Sequence, residues 1–237
     1  QRDLAGVPVV AAGADTQCAL VGMAAVEAGD GGVAAGWSAP VQLVTNIPVI
    51  DSEKRTWTGV HVVPGRWILE SNAGEMGRAW DWICAMMGLD VAEAERLASA
   101  APAGAGDAMA VLGARAMRAS AMNAGVGAIT VPLPLVMSSP DRGHLLRSVL
   151  EATAYAVRAN LEQLEQVSGS RITSLAIGGG MSRSATFTQI VADVIDRPLA
   201  VASAPETSAL GAAALAFVAT GRYASIADAV AAIATGR

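Results

Sequence analysis

The sequence is poor in the residues that most often reveal a function. Its 237 residues include two cysteines, two histidines and a single lysine, Lys54. Cys18 and Cys84 lack CxxC spacing and form no framework of pairs, so we expect a reducing, cytoplasmic setting. Neither His61 nor His144 has a cysteine or a second histidine at ligand spacing, which argues against a metal centre or a nucleophilic site at either position.

Long apolar runs, clustered positive charge and a leader sequence are also missing. No run of about eighteen or more residues lacks a charged or strongly polar residue, so no membrane span is expected. The net charge is −5 and the arginines are scattered, so we expect neither nucleic acid nor anionic lipid as a partner. The chain starts at Gln1 without an initiator methionine or an export signal, so we expect either the interior of a longer polypeptide or a trimmed form of the protein.

Apolar residues are plentiful, at 53% of the total, and they are accompanied by 25 glycines. A chain of this size and composition can bury one substantial core, so residues 1–237 are predicted to form one large domain. Hydrophobic residues beyond the needs of one domain are consistent with a surface that contacts another domain or a second copy in a homodimer.

Hydrophobic spacing predicts a strand at residues 7–12, a helix at 15–28 and then several short strands around proline and glycine turns. The short strands are predicted at residues 32–37, 41–45, 60–63 and 67–71. Helices are predicted from a cap at Ser71 or Asn72 to Gly88, over residues 91–100 and from Ser139 to Gly169. Residues 109–134 are predicted to be mostly loop with short strands.

In the last third, strands at residues 174–177 and 199–202 alternate with helices at 184–195, 208–220 and 226–234. An antiparallel meander followed by β-α-β-α is the order expected of an actin-like, ribonuclease H-like ATPase domain. The predicted fold class is therefore α/β with a mixed sheet.

The first candidate site is the segment Gly13-Ala14-Asp15-Thr16-Gln17 at the predicted strand-to-helix turn. Asp15 can be interpreted as a helix N-cap, which is worth about 1 kcal/mol. It can also be interpreted as a base, because a carboxylate beside an alcohol takes the hydroxyl proton as the oxygen attacks a phosphoryl group, contributing roughly 10²–10⁴ in rate. The pattern alone leaves both interpretations open.

The second candidate is the glycine turn Gly178-Gly179-Gly180, which lies between a predicted strand and a predicted helix. Glycines let a flat or anionic ligand approach the backbone next to the positive end of a helix, although a tight structural turn is an equally simple interpretation. A P-loop is excluded because no Gly-Lys-Ser/Thr follows. A dinucleotide-binding module fits poorly, because Arg183 occupies the third glycine position of its fingerprint.

Two weaker candidates remain. Gly36 follows a predicted strand and precedes Trp37 and Ser38, and residues 206–208 begin a helix of small residues. The second segment is equally well explained as a helix cap followed by close packing. Neither segment is diagnostic alone.

Taken in order, these turns resemble the carboxy-terminal half of the FGGY family of carbohydrate kinases. The most specific part is the segment 178–184 followed at family spacing by Gln189, Ala192-Asp193, Arg197-Pro198 and Glu206-Thr207. The resemblance covers essentially the whole chain and is weakest at residues 109–134. Residues 15–17, 46–49 and 61–65 resemble the branch that includes autoinducer-2 kinases.

The resemblance implies ATP and Mg²⁺ as cofactors, a sugar or polyol as acceptor, and no metal ligand from this chain. It makes Asp15 the catalytic base and places Thr16 and Gln17 beside the sugar. The ATP-binding residues that it implies are Gly36, Ser38, Gly179, Gly180 and Ser184.

The chain departs from the family pattern in two ways. Trp37 stands where the family usually carries a threonine, so Ser38 is the hydroxyl that remains in that turn. The amino-terminal domain of the family, with its Asp-x-Gly-Thr phosphate turn, has no match here, so this half is not expected to catalyse efficiently alone. A non-catalytic nucleotide- or sugar-binding protein on the same fold, and a kinase of an autoinducer-2-like signal, remain as alternatives.

Overall fold

The structure is a computed structural model that describes residues 6–121 and 125–233. Strands and helices are numbered in chain order. The strands are β1 (Asp30–Ala34), β2 (Pro40–Thr45), β3 (Trp57–Val60), β4 (Trp67–Asn72), β5 (Met109–Val111), β6 (Ala128–Thr130), β7 (Ser174–Gly178) and β8 (Ala200–Val201). The helices are α1 (Asp15–Gly22), α2 (Gly77–Met87), α3 (Val91–Ala100), α4 (Arg142–Ser168), α5 (Ala185–Ile195), α6 (Thr207–Ala219) and α7 (Ile226–Ile233).

The main sheet has six strands in the order β3-β4-β2-β1-β7-β8. The first four strands pair antiparallel as a meander, whereas β1 pairs parallel with β7, and β7 pairs parallel with β8. The strands β5 and β6 form a separate antiparallel pair. This arrangement confirms the predicted mixed α/β sheet with a meander followed by parallel strands.

The larger core lies between one face of the sheet and the helices α2 to α5. Leu43 and Leu69 from the sheet meet Leu146 and Leu164 of α4 there, and all four are buried. The apolar spacing in the sequence of α4 predicted that these leucines lie on one face of the helix. The helix begins two residues later than predicted, because the Asp141 carboxylate, and not the Ser139 hydroxyl, caps it by accepting a hydrogen bond from the backbone of residue 144 at 3.1 Å.

The other face of the sheet is covered by α1, which packs against α6, and α6 in turn packs against α7. The α1 and α6 backbones approach each other closely at two glycines. A Cβ atom on Gly22 would overlap the carbonyl oxygen of Thr207, and one on Gly211 would overlap the carbonyl oxygen of Cys18. Glycine at these two positions lets the backbones touch, so the last turn of α1 lies against the first turn of α6.

The predicted strand at residues 7–12 is wrong. This segment is irregular and mostly exposed, and Val9 is 99% exposed. An apolar run becomes a strand only when a neighbour takes its backbone hydrogen bonds, and no strand of the described chain lies beside it.

The helix predicted at residues 15–28 is correct in its first half only. It ends at Gly22, because Ala24 adopts a left-handed conformation with φ 62° and the chain turns back towards β1. The Asp30 carboxylate then holds the turn by accepting from the backbone N–H groups of Val26 and Glu27 at 3.1 and 2.8 Å.

Two further boundaries of the meander were misplaced. The third strand was predicted at residues 60–63 and lies at β3, three residues earlier. The expected helix cap at Ser71 or Asn72 is wrong because β4 continues through both residues, and α2 starts only at Gly77.

Candidate functional site

A cleft of about 340 Å³ lies where the parallel strands β1 and β7 end. The carboxyl ends of parallel strands are where open α/β sheets place their ligands. Its walls come from four separate segments of the chain. They are Asp15 and Thr16 of α1, the turn Gly36-Trp37-Ser38 after β1, Gly179 and Gly180 after β7, and residues 205–208 at the start of α6.

One end of this cleft is lined by backbone amides. Within the described residues, the N–H groups of Trp37, Ser38, Gly179 and Gly180 have no hydrogen-bond acceptor. The first turn of α6 adds further free N–H groups, because its N-cap residue provides no side-chain hydrogen bond. Converging free amides at a helix N-terminus form a concave site that suits an anion such as a phosphate. We call this end the amide cradle.

Gly179 fixes the shape of the amide cradle. Its φ of 102° lies in a region that favours glycine, and a Cβ atom at this position would stand 2.6 Å from the carbonyl oxygen of Ala35. The same carbonyl accepts a hydrogen bond from Met181 at 3.0 Å, which fastens the turn after β7 to the turn after β1.

Asp15 also lines the cleft, as the first residue of α1. The N-cap position belongs to Ala14, and the exposed Asp15 carboxylate accepts only from the adjacent N–H of Thr16, at 2.9 Å. The interpretation of Asp15 as the N-cap is therefore not what the structure shows. Its second oxygen has no partner among the described residues, and the side chain lines the cleft.

Gln17 does not line the cleft. Its side-chain oxygen accepts from the N–H of Ala14 at 3.0 Å, and its amide donates to the carbonyl of Val60 at 2.7 Å. Gln17 therefore ties the start of α1 to the end of β3, and it sets the position of Asp15 through the backbone.

A second and larger pocket of about 650 Å³ adjoins the cleft and shares Gly36, Trp37 and Gly180 with it. Trp37, which is 66% exposed, stands between the two spaces. The helix α2 holds this turn, since the N–H of Gly77 donates to the carbonyl of Gly36 at 3.1 Å. The remaining apolar walls are Trp80, Val91 and Met181.

Ser184 borders this second pocket, but its hydroxyl already has two partners. It caps α5 by accepting from the N–H of Phe187 at 2.9 Å, and it donates to Glu95 of α3 at 2.7 Å. Glu95 also accepts from the N–H of Thr186 at 3.2 Å, and it lines the pocket. Sequence analysis missed Glu95, because nothing distinguishes it from the other acids of a surface helix.

A polar pair under α1 was also missed. Gln42 of β2 is fully buried, and its amide donates to the Glu70 carboxylate of β4 at 2.6 Å. Burial raises the pKa of Glu70; the hydrogen bond from Gln42 opposes that increase, and the negative charge of Asp15 adds to it. The carbonyl oxygen of the Gln42 amide has no partner among the described residues.

Neither a metal cluster nor a membrane span was found in the part of the chain that the structure describes. No three histidine, cysteine, aspartate or glutamate side chains come together there as ligands. None of the described helices is long and apolar enough to cross a membrane.

Comparison with known proteins agrees with this architecture. The sheet order and the helices on its two faces define an actin-like α/β domain. A family model described as the FGGY family of carbohydrate kinases, C-terminal domain, matches residues 33–220. The chain therefore belongs to the FGGY family of carbohydrate kinases and contains its carboxy-terminal domain, as the sequence turns indicated.

The curated relatives are kinases with different substrates in their names. A glycerol kinase of Chloroflexus aggregans is 32% identical over 229 residues, which cover 92% of this chain and 44% of the relative. An autoinducer-2 kinase of Yersinia pestis is also 32% identical, over 93% of this chain and 43% of the relative. The chain thus spans less than half the length of the relatives it matches, and the two names fit it equally well.

Solved structures give the same fold. A xylulose kinase from Rhodospirillum rubrum superposes with a TM-score of 0.79 at 26% identity, over 98% of this chain and 46% of that one. Plasmodium falciparum glycerol kinase, solved with ADP, superposes with a TM-score of 0.78 at 19% identity, over 94% of this chain and 45% of that one. These matches confirm the actin-like fold class.

Proposed function

We propose that this chain is the ATP-binding half of a kinase that transfers the γ-phosphoryl group of ATP to a hydroxyl of a sugar or polyol. The observation that carries the proposal is a single cleft whose lining includes both the turns with free backbone amides and the exposed Asp15 carboxylate. Phosphoryl transfer needs both parts, because catalysis consists mainly of positioning the groups and stabilising their charge.

In this proposal the phosphates of ATP lie in the amide cradle, against Gly36, Ser38, Gly179 and Gly180. The nucleoside extends into the 650 Å³ pocket that Ser184 borders, with Trp37 as the wall between the two spaces. Ser184 acts there through the position of α5, since its hydroxyl is held by Glu95 and the N–H of Phe187.

Asp15 is proposed as the base. Its free carboxylate oxygen takes the proton of the acceptor hydroxyl as the hydroxyl oxygen attacks the γ-phosphorus. The bond from the γ-phosphorus to the bridging oxygen breaks, and the phosphates of the ADP that is released from it stay in the amide cradle. Thr16 lines the cleft beside Asp15 and borders the acceptor. Gln17 contributes by holding the start of α1 through its contacts with Ala14 and Val60.

Magnesium fits this arrangement as an ion held mainly by the nucleotide. Mg²⁺ prefers oxygen ligands and commonly uses one or two carboxylates together with substrate phosphates. Asp15 and Glu206 are the carboxylates that line the cleft. When bound, Mg²⁺ supplies charge neutralisation on the transferring phosphate.

Turnover is proposed to need a second half of the enzyme. The chain matches only 44% of the length of the glycerol kinase to which it is similar. We propose that an amino-terminal domain completes the acceptor pocket, and activity is therefore to be measured on the full-length protein.

The direct test is a coupled ADP-release assay of the full-length protein over glycerol, xylulose, gluconate, other polyols and autoinducer-2. The proposal expects ATP-dependent phosphorylation of at least one of these alcohols. A protein that binds ADP tightly but phosphorylates none of them would instead be the non-catalytic nucleotide- or sugar-binding protein. That second function is favoured by Trp37, whose indole stands where the family usually has a hydroxyl.

A further inference from the structure

The strand β2 leads from the cleft to the part of the sheet that α1 covers. Pro40 at the start of β2 lines the cleft, and Gln42 lies two residues further along the same strand. Residues two apart in a strand point to the same face, so Gln42 lies next to Pro40 on the side covered by α1.

Three strands bring polar and aromatic groups into one row at this point. In the register of the sheet, Gln42 lies opposite Glu70 of β4, and Glu70 lies opposite Trp57 of β3. Side chains directly opposite each other in antiparallel strands share a face and have Cβ atoms about 5 Å apart. The row therefore runs from a buried amide through a partly buried carboxylate to Trp57, which is 43% exposed.

The hydrogen bonds of this row are incomplete. Gln42 donates to one oxygen of Glu70, and the other oxygen of Glu70 has no partner among the described residues. The carbonyl oxygen of the Gln42 amide is buried and also unpaired. Unsatisfied buried polar atoms are rare in native structures, and each calls for an explanation such as a ligand that completes the set. A ligand hydroxyl, which donates to a carboxylate, has the required chemistry.

Asp15 connects this row to the proposed transfer site. Pro40 lines the cleft together with Asp15, and Glu70 lies opposite Gln42, two residues further along β2. The negative charge of Asp15 contributes to the raised pKa of Glu70, which agrees with this placement.

We propose that Glu70, held in place by Gln42 and bordered by Trp57, binds a second hydroxyl of the acceptor, one that is not phosphorylated. This inference deepens the proposed kinase function and depends on it. A site that hydrogen-bonds a substrate hydroxyl discriminates strongly against an analogue that lacks it, because the groups of the site are then left unpaired. Trp57 adds an apolar surface beside the carboxylate.

The test compares Glu70→Gln with a matched control, Glu162→Gln, in the full-length protein. Glu162 is an exposed acid on α4 that pairs with Arg158 at 2.8 Å, away from the cleft. We expect Glu70→Gln to raise KM for the best acceptor roughly 10- to 100-fold, as for a hydrogen bond to a charged group, while KM for ATP stays within about twofold. The control is expected to change neither constant.

Deoxy analogues separate binding from a purely structural effect. If the best acceptor is glycerol, the analogues are 1,2-propanediol and 1,3-propanediol. In the wild-type protein one analogue is expected to lose kcat/KM by roughly 10-fold or more, and in Glu70→Gln the gap between that analogue and its parent is expected to shrink to about threefold or less. The wild-type comparison needs no variant to fold.

The role of Glu70 would be overturned if Glu70→Gln lowered kcat/KM equally for the parent acceptor and every analogue, or if it raised the KM for the acceptor and the KM for ATP equally. An unaltered KM for the acceptor in Glu70→Gln would also overturn that role, but it would not contradict the kinase proposal. A wild-type protein that phosphorylates no alcohol would instead overturn the proposed function, and this inference with it.

Discussion

The two parts of the candidate site use different chemical groups, backbone amides in one and side-chain carboxylates in the other. The amide cradle consists of backbone N–H groups in turns that glycine makes possible, whereas the acceptor part consists of side chains from separate elements. These are Asp15 on α1, which lines the cleft, and Glu70 on β4, which we propose as a second contact. Backbone recognition tolerates changes of side chain but no added Cβ atom. Side-chain recognition responds to isosteric changes of a single oxygen. The two parts are therefore expected to fail in response to different substitutions.

The largest effect of a Cβ atom is expected at the amide cradle. Gly179→Ala forces a side chain into a glycine-only conformation and against the carbonyl oxygen of Ala35, so the two turns must move apart. We expect ADP affinity, measured by titration calorimetry, to fall roughly 10- to 100-fold. Gly221→Ala is the control, since its φ of 76° imposes similar backbone strain with nothing within 4 Å of the new atom. Equal losses of affinity in both variants would contradict a cradle shaped at Gly179.

A second Cβ substitution tests the crossing that positions Asp15. In Gly211→Ala the new atom overlaps the carbonyl oxygen of Cys18, so α1 must shift away from α6. We expect the free energy of unfolding, from urea titration, to fall by about 1–3 kcal/mol. Gly59→Ala in β3, where nothing lies within 4 Å, is expected to be neutral or slightly stabilising. A Gly211→Ala protein as stable as the wild type would show that the helices do not touch as described.

The smallest effect is the pH-dependent contribution of Glu70 to the free energy of unfolding. Burial raises the pKa of Glu70 in the folded protein above its ordinary value of 4.5, so the stabilising contribution of this group is complete below pH 4.5 and is lost as the pH rises through the folded pKa. Glutamine does not ionise, so the Glu70→Gln protein does not lose this stability as the pH rises. The stability of the variant relative to wild type is expected to increase between pH 4.5 and pH 8 in urea titrations. A constant difference across this range would show that Glu70 is not buried as a charge.

Features carried by local sequence were predictable from the chain alone. The helix α3 lies where its spacing placed it, and the turn at Gly179 and Gly180 follows a strand as its glycines indicated. Its role as a ligand site stays a prediction. The order of strands and helices was enough to predict the mixed sheet.

Features created by tertiary pairing were not predictable. Ser184 and Glu95 are 89 residues apart, and the Gln42–Glu70 pair depends on strand register, which a single sequence does not specify. The strand prediction for residues 7–12 was wrong for the same reason, since the apolar pattern of this segment does not reveal whether a neighbouring strand exists. The glycine turn of the amide cradle was therefore visible in the sequence, whereas the Gln42–Glu70 pair became visible only in the structure.

The most direct test of the proposed kinase is Asp15→Asn in the full-length protein, assayed with the best acceptor of the screen. The substitution keeps the shape of the side chain and the contact with the N–H of Thr16, but it removes the proton acceptor. We predict that kcat falls roughly 10²- to 10⁴-fold while ADP affinity stays within about twofold. Turnover close to wild type would contradict the assignment of Asp15 as the base.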